Sequence, residues 1–419
     1  MKLAEFLIQG QHLRQQNRTL AIAYFEQCLQ NNSLGDNAES DPRTTARVYL
    51  DLAVELMATK QPDSLQRAKN LVKQAEEALN HHQNTDREQE AYFLYVQAIL
   101  ALELGELSDV LSLLQAAYEA YGDNLAGQSL TDDAIGLYYQ HINDWQSALM
   151  SFERSLSVRL EMEDEGLIAR SYTNLGQLYF LSGDNSQAAS LFQCARDIAI
   201  ANSDNFLRLQ ALKGLAKVAI ADNEWQVTGL LIQDAIIDNQ WQSAILFLKE
   251  AIALLKEPVD TIEIAYLYCD LAEALLGDRQ IEESLICIRV DVLPRFRDYQ
   301  YLKGIAIAKH IRGRIYVHRI LEGLDSLDED AIETAEDSLL DASISFEQLG
   351  MMNDYAKTLY DLAGLYQTCN SSQFQYQYQG KSIRSLELAL SVLDRIGMSH
   401  TQLASQIEVM LNQVMRGSF

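Results

Sequence analysis

The chain has 419 residues, 48% of them hydrophobic and 22% charged, with a formal net charge of −26. That size suits two or three ordinary domains or one long array, and no apolar window is long enough for a membrane span. Acidity of this order repels phosphate backbones, so nucleic acid is not an expected partner.

There are four prolines. Strand-like runs of Val, Ile and Thr are scarce, while Ala, Leu, Gln and Glu abound, so the expected elements are helices. Cys28, Cys194, Cys269, Cys287 and Cys369 are scattered and show no C-x-x-C spacing. They read as buried thiols in a reducing compartment rather than as disulfides or a zinc site. The opening "MKLAEFLIQGQHLRQQN" lacks the apolar core of a signal peptide, and a cytoplasmic protein is expected.

In chain order, Ala21, Phe25 and Cys28 share one helix face. "ARVYLDLAVEL" places Ala53 in a first helix, with Ala68 and Ala75 in a second. Ala98 lies in "AYFLYVQAILALELGELSDVLSLLQAA" and Gly136 in "AIGLYYQHINDWQSALMSFERSL". The clearest unit is Ala169–Ala195, "ARSYTNLGQLYFLSGDNSQAASLFQCA". Within it Tyr172, Leu175, Gly176 and Tyr179 recur at helical spacing. Gly183-Asp184 breaks the helix, and Ala188, Phe192 and Ala195 form the inner stripe of the next. Gly136 lies forty residues before Gly176, and Ala216 forty after it. Looser copies centre on Ala272, on a degenerate unit near Gly313 and Tyr316, and on Ala363.

This alternation of small and large residues resembles the tetratricopeptide repeat. The resemblance is tightest over 129–222 and extends more loosely over the whole chain. It implies an all-α fold, a right-handed superhelix (α-solenoid) of about nine helical hairpins, with first helices lining a groove.

All three tryptophans sit in one phrase: Trp145 in "NDWQSA", Trp225 in "DNEWQ" and Trp241 in "DNQWQ". They read as packing residues where helices meet. Trp145 and Trp225 each begin a second helix, two forty-residue periods apart. Trp241 comes only sixteen later, and Ile232 takes the small-residue place of a new unit. The expected organisation is an N-terminal lobe over 1–222, an out-of-phase junction helix over 223–241, and a C-terminal lobe over 242–419. The alternative is an inserted helix inside one regular array. Ser371–Gly380, "SSQFQYQYQG", reads as a long surface loop or flap between two helices. The acidic stretch Glu322–Asp337 lacks the ligand spacing of a calcium loop, and a helix is expected from about Asp330.

No P-loop, dinucleotide fingerprint, H-E-x-x-H or nucleophile-elbow motif occurs. Cys269 and His310 fall at comparable places in consecutive units, but neither an activating base nor an oxyanion site accompanies them. The chain therefore reads as non-enzymatic, with no cofactor and no metal.

In the resembled family, groove-facing positions of first helices hold a peptide, often through an Asn two before the small residue. Here that position is Asn174, flanked on the same face by Arg170 and Gln177, with Lys213 and Lys217 in the next unit. This basic and amide cluster could hold a carboxylate or acidic peptide; alternatively it pairs with groove acids such as Asp133. Asp51, Asp270 and Asp361 stand at the Asn position of other units, and Glu273 also faces inward, which departs from a uniform peptide clamp. From Arg289 to Arg319 the chain is strongly basic. Lys309, Arg312 and Arg314 there form either a site for an anionic partner or the counter-charge to the acidic stretch that follows. The function expected from the resemblance is an adaptor or scaffold binding a protein or peptide in its groove. The alternative is a peptide- or ligand-sensing regulator that changes superhelical shape.

Overall fold

The computed structural model describes residues 9–10, 12–14, 18–33, 42–59, 62–80, 86–227, 239–255, 261–324, 329–370, 375–399 and 401–416. Every regular element among them is helical. The chain divides into two compact units, Met1–Ala219 with Leu246–Ile264, and Ile220–Ile245 with Ala265–Phe419.

The first unit holds α1 (Arg18–Ser33), α2 (Pro42–Ala58), α3 (Pro62–Asn80), α4 (Arg87–Leu104), α5 (Val110–Tyr121), α6 (Leu125–His141), α7 (Trp145–Glu161), α8 (Glu165–Ser182), α9 (Asn185–Ala201) and most of α10 (Asn205–Val227). Consecutive helices pack as hairpins, α2 on α3, α4 on α5, α6 on α7 and α8 on α9. The turns explain why. Asn143, Glu163, Gly183 and Ser203 adopt left-handed backbone at intervals of twenty residues. Each is followed by an aspartate, and the carboxylates of Asp144, Asp164, Asp184 and Asp204 accept backbone N–H groups of Ser147, Leu167, Gln187 and Leu207 at 3.0–3.1 Å. A left-handed residue stops one helix and an N-cap starts the next.

The small-residue register holds throughout. Ala53, Ala98, Ala216, Ala272 and Ala363 are wholly buried. Phe152 and Phe192 are buried forty residues apart, each worth about 1.5–3 kcal/mol of apolar transfer. Their rings lie directly on glycine: a β-carbon at Gly136 would sit 2.5 Å from Phe152, and one at Gly214 would sit 2.4 Å from Phe192.

The helix expected to begin at Trp225 does not begin there. α10 passes unbroken through Asn223 and Glu224 to Val227. At Asn143-Asp144 an aspartate caps the helix, whereas the sequence has Glu224, not an aspartate, after Asn223, and glutamate is not among the favoured cap residues. The rest of the junction, with Ile232, lies outside the described residues.

The helices α11 (Asn239–Leu254) and α12 (Thr261–Gly277) each contribute to both units. The second unit continues with α13 (Ile281–Ile286), a π-helical turn (Cys287–Val292) and α14 (Leu293–Asp298). Pro294 in α14 supplies no N–H, which accounts for the break in the α-helical ladder. Then follow α15 (Leu302–Leu321), α16 (Glu329–Gln348), α17 (Met352–Asn370), α18 (Gln375–Arg395) and α19 (Gln402–Arg416). Trp241 packs as expected, since a β-carbon on Gly277 would lie 2.4 Å from its ring. Trp145 is 36% exposed, so its ring is only partly a packing element. α18 begins at Gln375, so much of the segment read as a loop is helical. The buried Tyr378 anchors it by stacking on Tyr366 at 5.9 Å. Ser371–Phe374 lie outside the described residues. Among the described residues no helix is long and apolar enough to cross a membrane. Three cysteines, Cys269, Cys287 and Cys369, are buried, whereas Cys194 is exposed.

Candidate functional site

In the first unit, charged side chains of the first helices of successive hairpins form a ladder. On α2, Arg47, Asp51 and Glu55 recur one turn apart and so share a face. The Arg47 guanidinium lies 3.1 Å from Asp51 and 3.6 Å from the centre of the Tyr92 ring on α4. The Tyr92 hydroxyl donates to Asp51 at 2.6 Å. Burial, and then the Asp51 charge, pushes that phenol well above the usual tyrosine range.

Two further arginines reach this face from the N-terminal segment. Arg14 pairs with Glu55 and lies 3.7 Å from Asp51. Arg18 lies 4.0 Å from Glu55 and donates to Glu263, at the start of α12, at 3.2 Å. Its guanidinium also sits 5.8 Å from the Phe206 ring centre. Lys213 of α10 donates to the same Glu263 at 2.6 Å. Burial works to raise the pKa of Glu263, but Lys213 and Arg18 outweigh it, and the carboxyl is held below its ordinary range.

Farther along, Asp133 of α6 is buried beside Arg159, 2.7 Å away, and Arg170, 3.8 Å away. Arg159 is wholly buried and donates to the Ser171 hydroxyl at 2.8 Å and to the Ser129 hydroxyl at 3.2 Å. Burial pulls its pKa down while Asp133 opposes that shift.

The predicted binding residues fall into two sets. Arg170, Asn174 and Gln177 lie together on α8, with Asn174 and Gln177 half-buried and Arg170 45% exposed in its side chain. Lys213 is engaged by Glu263, and Lys217 is exposed on α10. The arginine contacts from before α2 have no local signature. The only hint is that Arg14 and Arg18 stand one helical turn apart in a chain otherwise rich in acids.

In the second unit, Arg314 of α15 lies 3.0 Å from Glu273 of α12, and His310 lies 2.6 Å from Asp361 of α17. Lys309 lies 3.4 Å from Asp341, and Arg319 pairs with Glu282. Arg312 is half-buried, and its Nε has no hydrogen-bond partner. Within the acidic stretch 322–337, Glu336 lies 2.7 Å from Lys381 of α18. His318 is pulled down to about 4, first by burial and then by Arg314. The Cys269 thiol is pushed well above its usual range by burial and by Asp270 and Glu273. With His310 given to Asp361, Cys269 is not an activated nucleophile.

A sequence profile of the tetratricopeptide repeat matches residues 128–201, and the described helices have an α-solenoid fold. No curated protein matches the chain. Solved structures do. A Rap protein complexed with competence and sporulation factor is 13% identical, with a TM-score of 0.53 over 90% of this chain and 98% of that one. The apo form of the quorum sensor NprR from B. thuringiensis is 14% identical, with a TM-score of 0.53 over 93% and 97%. The human IFIT1 dimer with m7Gppp-AAAA is 16% identical, with a TM-score of 0.51 over 95% and 78%. Likeness at such identity carries the fold alone.

Proposed function

We propose that this tetratricopeptide-repeat chain is a non-enzymatic interaction module that holds a protein or peptide on the first-helix face of its first unit. Arg170, Asn174 and Gln177 make the contacts, with Lys213 and Lys217 beside them. The observation that carries this reading is the line along α8 of half-buried Asn174 and Gln177 with exposed Arg170 one turn before them. Amides there can both donate to and accept from an extended backbone. Lys309, Arg312 and Arg314 form a secondary face for an anionic partner in the second unit. The reading places the protein in the cytoplasm and gives it no nucleic-acid partner.

A second reading is a peptide-sensing regulator. It is favoured by the contact of Arg18 with Glu263 and by the likeness of fold to Rap and NprR structures. Peptide-array binding separates the module from an alternative use of the fold. Array peptides are expected to bind the parent chain and to be lost on Asn174→Ala with Gln177→Ala. Binding that ignores those changes overturns the assignment. A short peptide that also changes the small-angle scattering profile selects the regulator.

A further inference from the structure

Among the described residues, both cations beside Glu55 come from the N-terminal segment: Arg14 pairs with it and Arg18 lies 4.0 Å away. Glu55 is 6% exposed in its side chain. Asp51, one turn before it, has Arg47 on its own helix as well as Arg14. Glu263 has Lys213 as well as Arg18. If the two N-terminal arginines withdrew, Asp51 and Glu263 would each keep a partner. Glu55 would become a buried carboxylate without a cation, which is a costly state.

Downstream of Arg18, α1 is fixed by apolar contacts, with Ala21, Ile22 and Phe25 buried. Among the described residues Leu13 packs against the apolar core, and Arg18 reaches Glu263 of α12 and the Phe206 ring of α10. The Arg18 pair with Glu263 is buried, with side chains 7% and 14% exposed, so it opens only where an equivalent charge takes the place of the arginine.

We propose that Arg14 and Arg18 act as an internal stand-in for an arginine-bearing peptide, covering Asp51, Glu55 and Glu263 until such a peptide displaces them. The inference rests on the reading of this face as a peptide-binding face and adds the class of partner. Arginine fits better than lysine because a planar guanidinium offers donors in two directions, and the Arg18 guanidinium lies between Glu263, to which it donates at 3.2 Å, and Glu55, 4.0 Å away. A covered site also reports its occupancy: apparent affinity falls in proportion to the fraction of molecules in which it is open.

The test uses the full chain and a labelled tri-arginine peptide, with tri-lysine as control. Arg14→Ala with Arg18→Ala is expected to raise tri-arginine affinity roughly ten-fold if the cover is closed in about nine molecules of ten. Adding Glu55→Gln is expected to abolish that gain, and tri-lysine is expected to gain less. Equal affinity for parent and variant overturns the proposal. So does a gain that survives Glu55→Gln, because it would reflect only the chain's overall acidity. Should the double variant fail to fold, hydrogen exchange on the parent chain decides. Tri-arginine is expected to speed exchange at residues 12–14, and unchanged exchange overturns the proposal. The array of the preceding section separates the two ideas. Array peptides lost on Asn174→Ala but indifferent to Arg14 and Arg18 leave the module standing without the cover. A tri-arginine gain without array binding leaves the cover standing and removes the α8 assignment.

Discussion

Arg18 and Glu263 stand 245 positions apart in the chain and 3.2 Å apart in the fold. The pair joins the N-terminal helix of the first unit to the first turn of α12. Lys213 meets the same carboxylate from the other side. One acid thus collects cations from two separate elements, and its state of charge couples them.

That coupling gives Glu263 a pH signature. Its folded-state pKa lies below the unfolded value, so its contribution is fully present above the ordinary glutamate pKa of about 4.3 and is lost as pH falls through the folded value. At pH 7 Glu263→Gln is expected to be less stable than the parent by about 1.5–3 kcal/mol, the range for hydrogen bonds to a charged group. The gap between them should narrow as pH falls below the ordinary glutamate value. Urea unfolding at pH 7 and pH 3 measures the trend, and a gap that does not narrow as pH falls refutes the assignment.

Gly136 and Gly380 are both helical glycines with opposite surroundings. A β-carbon on Gly136 meets Phe152, a ring with no exposed surface to retreat to, whereas one on Gly380 meets nothing within 4 Å. Gly136→Ala is expected to destabilise by about 1–3 kcal/mol through overpacking, more than the roughly 1 kcal/mol of helix propensity it gains. Gly380→Ala should stabilise by about 0.5–1 kcal/mol. Thermal unfolding of the two variants gives the comparison, and a shift of the same sign in both would contradict it.

The repeats were legible because each small residue must sit under a large one on a facing helix. That leaves Gly136, Gly176 and Ala216 forty residues apart in the sequence. The α8 face was legible for the same reason, since Arg170, Asn174 and Gln177 follow helical spacing from one glycine. Other features had no such local rule. Trp225 looked like a helix start because its phrase matches that at Trp145, and the difference lay in one residue, Glu224 for Asp144. The segment around Tyr378 looked like a loop from its polar and aromatic alternation. Its helix is anchored by Tyr366, whose stacking no local pattern announces. The pairing of Arg18 with Glu263 depends on the path of every helix between them.

The turn before α8 allows a paired test of local signals. Asp164 caps the helix through the Leu167 N–H, and Glu163 just before it has a φ of 55°. Asp164→Ala is expected to destabilise by about 1 kcal/mol through the lost cap. Glu163→Gly should oppose that effect, because left-handed backbone costs a side chain roughly 1–2 kcal/mol. Amide exchange in the first turn of α8 reads both, faster in the first variant and slower in the second.

The wholly buried Arg159 offers the most demanding test. Its charge faces Asp133 at 2.7 Å, and its other donors are spent on Ser129 and Ser171. Arg159→Leu strands a buried carboxylate, with Arg170, 3.8 Å away, as its remaining cation among the described residues. The expected loss is about 3–5 kcal/mol. Asp133→Leu alone strands the arginine and should be comparably harmful. The two together remove both charges, so the double variant is expected to be more stable than either single one. Simple additivity in a double-mutant cycle would show that the pair is not coupled. Asn174 and Gln177 stay in place in the double variant, so array peptides should still bind it. Loss of that binding while the fold survives would move the contact from α8 to the Asp133 charge itself.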